Sequence, residues 1–310
     1  MTGKLAGFTI LKPSNAGCCI WLATKIPYFW TMTAEKTAHT TSLKHYEVEP
    51  FTIQSEYLDR KVFLDAYYPR NISQPSTMTL MLINDGQDME KLGLAKMLDD
   101  LLDEGAITPI LAIGIRCNED RRLEYGTSDI LDYNNRGSRA RYHRKFVLQE
   151  LIPYVRKYFF LPELKEIAFA GFSLGGLSAM DIAWKHPEIF SKVGVFSASF
   201  WWRTKDLNHG YDEATDRIMH RLIREGEYAP NLKFFISTGT LDETMDRNNN
   251  GIIDSIDDAL GVIEELEKKG YSSGKDIEYL ELEDGRHDVP TWALAMPYFL
   301  KWGWGVDAER

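Results

Sequence analysis

The stretch "AFAGFSLGGLSA", Ala168–Ala179, decides the fold. Its first residues form an apolar run suited to a buried strand, and its last residues suit a closely packed helix. Between them stands Gly171-Phe172-Ser173-Leu174-Gly175. A strand that turns straight into a helix crowds the positions two before and two after the serine, so both must be small. Gly176 lets the helix pack closely beneath. The hydroxyl of Ser173 would be lifted into solvent at a helix N-terminus, where the Leu174 backbone N–H and the helix dipole favour an anion. Read plainly, the same residues make a glycine-rich turn that happens to contain a serine. The strand before and the helix after it select the nucleophile reading.

Outward from this turn, apolar strands alternate with helices. "KVGVFSA", "LKFFISTG" and "IEYLELE" read as strands. "DEATDRIMHRLIREG", "SIDDALGVIEELEKKG" and "VPTWALAMPYFLKWGW" read as the helices between and after them. Upstream, "KVFLDAYYP", "TMTLMLIND" and "ITPILAIGI" are further strands. "MEKLGLAKMLDDLLDEG" is a helix ended by Gly105, and "YHRKFVLQELIPYVRKYF" is one that Pro153 bends or breaks. Continuously apolar strands alternating with helices predict an α/β fold with a mostly parallel central sheet covered on both faces. A catalytic domain is expected over 45–310, with no linker or repeat dividing it.

A serine needs a base, and the base needs a third group to orient it. On this architecture they follow in the order serine, acid, histidine. His287, in "LEDGRHDVPTW", lies just after the last strand and before the last helix, and is the expected general base. His186, His209 and His220 fall away from strand ends. The acid is expected after "LKFFISTG": Asp242 first, with Glu243 as its replacement if the turn differs by one residue and Asp206 more distant.

Composition narrows the function classes. The chain has 310 residues, 44% hydrophobic and 12% aromatic, enough for a large core and too apolar for wholesale disorder. A net charge of -10 without any Lys/Arg-rich run argues against nucleic acid as a partner. No run approaches the ~20 apolar residues that span a bilayer, so no membrane partner is expected. Cys18, Cys19 and Cys117 form neither a disulfide framework nor a zinc pattern. That usage, with no well-formed signal peptide, sets the expectation of a cytoplasmic protein. Residues 1–44 read as a poorly ordered extension, and 1–31 as a start-site artefact, because Met32 opens a polar stretch typical of a cytosolic N-terminus.

Several segments together resemble the esterases of the enterochelin-esterase, feruloyl-esterase and esterase-D type, within the α/β-hydrolase superfamily. They are "LINDGQD", "AIGIRCNEDRRLEY", "KFVLQELIPYVRKYF", the nucleophile segment through "SASFWW", "GTLDE" and "GRHDVPTWALAMPYFLKW". The match covers most of the chain after residue 55. The resemblance implies an oxyanion hole made by the backbone N–H groups of Leu174 and Gln87. It implies acyl transfer through Ser173, with His287 as base, Asp242 fixing its tautomer, and no cofactor in catalysis. A small-molecule or carbohydrate ester is the expected partner. Two other readings stand beside it: an acyltransferase with the same triad, and a non-catalytic binding module on the same scaffold. Trp201 and Trp202 in "SFWW" are candidates to line the substrate pocket, or else ordinary core. The arginine-rich loop Arg116–Arg144 is long enough to shape the site.

One motif is independent of the triad. "DRNNNGIIDSID" matches a twelve-residue calcium loop, with Asp246, Asn248 and Asn250 at positions one, three and five. Gly251 takes the sixth position, the Ile252 carbonyl the seventh, Asp254 the ninth and Asp257 the twelfth. A structural Ca2+ is the metal expectation. Its alternative is an Asn/Asp-rich turn whose side chains bond their own backbone and cap the next helix.

Overall fold

Eight strands run side by side in the order β1-β2-β4-β3-β5-β6-β7-β8. The computed structural model describes residues 43–70 and 78–306. The expectations for 1–44 therefore lie almost wholly outside the described residues, as do Cys18 and Cys19. β1 (Tyr46–Ser55) and β2 (Arg60–Pro69) form an antiparallel hairpin, and β2 runs antiparallel to β4 (Ile110–Ile115). From β4 through β3 (Thr79–Asn84), β5 (Glu166–Phe172), β6 (Lys192–Phe196), β7 (Lys233–Leu241) and β8 (Ile277–Arg286), every pairing is parallel. This is the expected α/β architecture.

The residues of β3 and β4 are buried throughout, as strands covered on both faces must be. The helices are α1 (Met89–Leu92), α2 (Leu94–Asp103), α3 (Arg121–Glu124), α4 (Ala140–Lys145), α5 (Ile152–Tyr158), α6 (Leu174–Lys185), α7 (Glu213–Asp216), α8 (Ile218–Glu225), α9 (Asp254–Lys269) and α10 (Val289–Trp304). Two apolar clusters result. One holds Phe51, Phe146, Phe169, Leu177, Phe190 and Trp202, and the other holds Leu98, Phe172, Phe196, Phe235, Trp292 and Phe299.

Local chemistry accounts for the departures from the sequence reading. β1 was not expected; it contains Pro50 and occupies the sheet edge, the place where a strand tolerates a residue without an N–H. Gly93, at φ 77, divides one expected helix into α1 and α2. Ahead of Pro153 the chain widens into a π segment, Phe146–Leu151, between α4 and α5. Proline lacks an N–H and crowds the carbonyl four residues before it, and a wider turn accommodates both.

Parallel strands place their carboxyl ends on one edge of the sheet, where loops can converge. The segments after β3, β5, β6, β7 and β8 begin there. They carry, in order, Gln87, Ser173, Ser197 to Trp202, Asp242 and His287.

Candidate active site

Ser173 joins β5 to α6 with φ 52 and ψ -124, a region that non-glycine residues rarely occupy. Holding a residue there costs on the order of 1–3 kcal/mol, so its surroundings must over-determine it. Ser173 N–H donates to the Phe196 carbonyl of β6 at 2.9 Å. Its carbonyl accepts from Gly176, Leu177 and Ser199 at 3.1, 3.2 and 3.1 Å. The glycines make room: a Cβ at Gly171 would lie 2.4 Å from the Gly175 carbonyl oxygen, and one at Gly175 would lie 2.4 Å from Asp85 Oδ2. Leu174 is the first residue of α6, and the first N–H groups of a helix have no partner within it. The Ser173 hydroxyl, partly exposed, lies 3.5 Å from Ser199 Oγ.

The segment after β3 is tied directly to this turn. Asn84 Nδ2 donates to the Gly175 carbonyl at 2.9 Å. Its Oδ1 lies 3.1 Å from His143 Nε2. Burial pushes His143 down to about 3, so the ring is neutral, and an Asn oxygen there requires the proton on Nε2. Asp85 follows at φ 62 and accepts Arg121 Nε and Nη2 at 2.7 and 2.8 Å. Gly86–Asp88 then form a 3₁₀ turn seated on β4, where a Cβ on Gly86 would lie 2.5 Å from the Gly114 carbonyl carbon. The Gln87 side chain bonds Asp85 and the Cys117 N–H, at 3.2 and 3.1 Å. Its own N–H lies in the first turn, where helical donors go without a partner. Burial and the Asp85 carboxylate push the Cys117 thiol up to about 12, which removes it as a nucleophile.

The expected acid and base follow β7 and β8. A register shift between Gly239 and Leu241 breaks the β7–β8 ladder. There the backbones approach so closely that a Cβ on Gly239 would sit 2.3 Å from the Gly285 carbonyl oxygen. Asp242 follows, with Oδ1 accepting from Ser197 Oγ and Oδ2 from the Gly239 N–H, each at 3.1 Å. Burial raises its carboxyl above the usual range, against those two hydrogen bonds and the charge of His287. The His287 imidazole is held below its ordinary value, first because surrounding protein withdraws water from it. Asp242 pulls the other way, and Arg121 adds a smaller push downward.

Trp292 of α10 ties these parts together. Its Nε1 donates to Ser197 Oγ at 3.1 Å. Its ring meets His287 edge-on at 5.4 Å and stacks on Phe172, the residue before the nucleophile, at 5.0 Å. The sequence reading missed Ser197, Trp292, Asn84, His143 and Arg121. A tryptophan five residues after the expected base was the one local signal available.

The other candidates separate by place. His287 feels Asp242 as its charged partner, whereas Glu243 lines a neighbouring cavity and Asp206 sits beside His209. His220 is buried, 2.9 Å from the Asp258 carbonyl. Trp201 lines that same cavity, whose volume is about 260 Å³. Trp202 does not: it is 0% exposed and lies against Gly126 and Gly137, so its pocket assignment gives way to core packing. Loop arginines are largely paired internally, Arg116 with Asp65, Arg121 with Asp85, Arg136 with Asp132 and Arg144 with Asp129.

In the acidic loop, Asp246 accepts the N–H groups of Asn250 and Gly251, at 3.1 and 2.9 Å. The amides of Asn248 and Asn250 turn toward Asp257 at 3.1 and 3.2 Å. The Ile252 N–H donates to Asn250 Oδ1 at 2.8 Å. Asp254 is drawn off to the Arg247 N–H and guanidinium, at 2.9 and 3.3 Å. That guanidinium also pairs with Asp258 and Glu213, each at 2.6 Å. Positions one, three, five and twelve thus converge, while the ninth, and at 3.7 Å the twelfth, face the internal Arg247 cation. Among the described residues no cluster of three or more His, Cys, Asp or Glu side chains is arranged to hold a metal ion.

Comparison with known proteins agrees with this architecture. The model of the family described as "Putative esterase" matches residues 55–302. No curated protein matches the chain by sequence. Among solved structures, the fold is similar to the enterobactin esterase of Shigella flexneri crystallised with 2,3-dihydroxy-N-benzoyl-glycine. That match has TM-score 0.61 and 17% identity, over 82% of this chain and 58% of that one. It is similar to a ferulic acid esterase (TM-score 0.60, 16% identity, 83% and 97% covered). It is also similar to an IroE-like serine hydrolase from Shewanella oneidensis (TM-score 0.59, 17% identity, 83% and 80% covered). The chain thus spans only 58% of the length of the enterobactin esterase. No helix among the described residues is long and apolar enough to cross a membrane.

Proposed function

Because the chain belongs to the putative esterase family, and so to the carboxylic-ester hydrolases, we propose that it cleaves its ester through an acyl-enzyme on Ser173. His287 takes the hydroxyl proton as Ser173 attacks the carbonyl carbon. The tetrahedral oxyanion forms against the N–H groups of Leu174 and Gln87, and each such donor contributes roughly 3–4 kcal/mol to transition-state stabilisation. His287 then protonates the departing alkoxide. Water, deprotonated by the same base, releases the acid. Asp242 holds the imidazole in one tautomer and stabilises its charged form. The catalytic domain of this reading is 45–310, and none of its steps calls for a metal or cofactor.

The observation that carries the reading is the Ser173 backbone, held at a strained φ of 52 directly before a helix N-terminus. With it come two first-turn N–H groups braced against each other by the Asn84–Gly175 bond. The test is hydrolysis of short-chain p-nitrophenyl esters by wild type and Ser173→Ala. A fall in kcat of roughly 10⁴-fold or more is expected for the variant. Wild type and variant that were equally inert would overturn the reading in favour of a binding module. Product analysis with added alcohol acceptors separates hydrolysis from acyl transfer.

A further inference from the structure

The cavity of about 260 Å³ noted above is lined by Trp201, Tyr133 and Tyr211 among others. Its place in the chain brings it close to the chemistry. Trp201 stands two residues after Ser199, whose hydroxyl is 3.5 Å from that of Ser173, and Glu243 adjoins Asp242. Two residues of chain span at most ~7 Å.

Arg203 distinguishes this cavity from an ordinary aromatic cleft. The two other lining arginines have carboxylate partners within ion-pair distance: Arg136 has Asp132, and Arg247 has Asp258 at 2.6 Å. Arg203 has none among the described residues. Asp206 acts on it only through space. Its guanidinium lies 4.8 Å from the Tyr133 ring and 5.9 Å from the Tyr211 ring. Nη1 donates to the Trp201 carbonyl at 3.3 Å, which fixes the group without neutralising it. Glu243 and Asp254 also line the cavity, but Asp254 is engaged by Arg247 at 3.3 Å. Glu243 makes no ion pair with Arg203 among the described residues, and burial raises its carboxyl to about 6. A planar cation near two aromatic rings, with no ion-pair partner among the described residues, suits a carboxylate, which it can bind through two parallel N–H bonds.

We propose that this cavity is a substrate subsite in which Arg203 binds a carboxylate on the acyl chain, so that the preferred esters are half-esters of dicarboxylic acids. The inference rests on the esterase reading of Ser173 and assigns that site its acyl specificity.

The experiment compares p-nitrophenyl hemiadipate with p-nitrophenyl hexanoate, which differ by a terminal carboxylate in place of a methyl group. The wild type should show the higher kcat/KM on hemiadipate, and the preference should shrink with added salt. Arg203→Met should lose roughly 10- to 100-fold on hemiadipate, the effect of removing one charged hydrogen-bond partner. Its rate on hexanoate should stay within about twofold. Equal loss on both esters would make Arg203 a structural residue and overturn the subsite. If the variant fails to fold, the wild type decides alone: equal rates on the two esters at low salt overturn the subsite and leave the esterase reading intact. If neither ester is cleaved, both readings fall together.

Discussion

His287 is pulled in two directions, and in the proposed mechanism the balance sets the pH range of activity. Loss of water around the ring holds its pKa below the ordinary value near 6.5, while the Asp242 charge works against that shift. The base acts in its neutral form, so activity is lost as pH falls through the lowered pKa. The acidic limb of kcat/KM is therefore expected below pH 6.5. Asp242→Asn removes the anion that favours the imidazolium, so the limb should move further down in pH. The plateau should fall by roughly 10³- to 10⁴-fold as the tautomer is lost. A limb that moved upward would mean that Asp242 is not the group beside the base. At this scale the positions of Ser173 and His287 at strand ends were legible, because each occupies a strand–turn–helix context visible in sequence. The preference for Asp242 over Glu243 was not fully legible. It rests on hydrogen bonds from Gly239 and from Ser197, the latter 45 positions away in sequence.

The loop between β7 and α9 shows the same limit for an element. Its spacing matches a calcium loop, yet Arg247, a residue the motif leaves unspecified, supplies positive charge to Asp254, Asp258 and Glu213. A melt in calcium against chelator tests the loop: a midpoint raised by calcium would support the metal site, and equal midpoints would remove it. Arg247→Met should destabilise the protein by ~3–5 kcal/mol in urea titration, because it leaves Asp258, 1% exposed, short of a partner. A cost near zero would show that Arg217, 3.0 Å from the same carboxylate, suffices. The π segment before Pro153 was foreseen only as a bend. Which carbonyls can reorganise around a proline depends on the packing of the whole helix.

At the scale of the molecule, α10 carries both the site's tether and part of the core. Phe299 is 0% exposed and lies against Phe196, Phe235 and Trp304, with ring centroids at 5.7, 5.4 and 5.4 Å. It also fills the space over Gly194, where a Cβ would come within 2.6 Å of the ring. Phe299→Ala should cost about 3–5 kcal/mol by denaturant unfolding. A loss under about 1 kcal/mol would mean that α10 can collapse onto the sheet without it. The sequence by itself determined the parallel α/β plan, the strand–turn–helix at Ser173, and the places of Asp242 and His287 after the last two strands. Those follow from local periodicity and from glycines that a tight turn demands. Only the tertiary structure decided that Asn84 braces the nucleophile turn across 91 positions, and that Trp292 reaches Ser197 across 95. It alone separated Trp202 from Trp201 and left Arg203 without an ion-pair partner among the described residues. The physical reason is that such pairings depend on which strand ends the sheet order brings together, and no local pattern records that order.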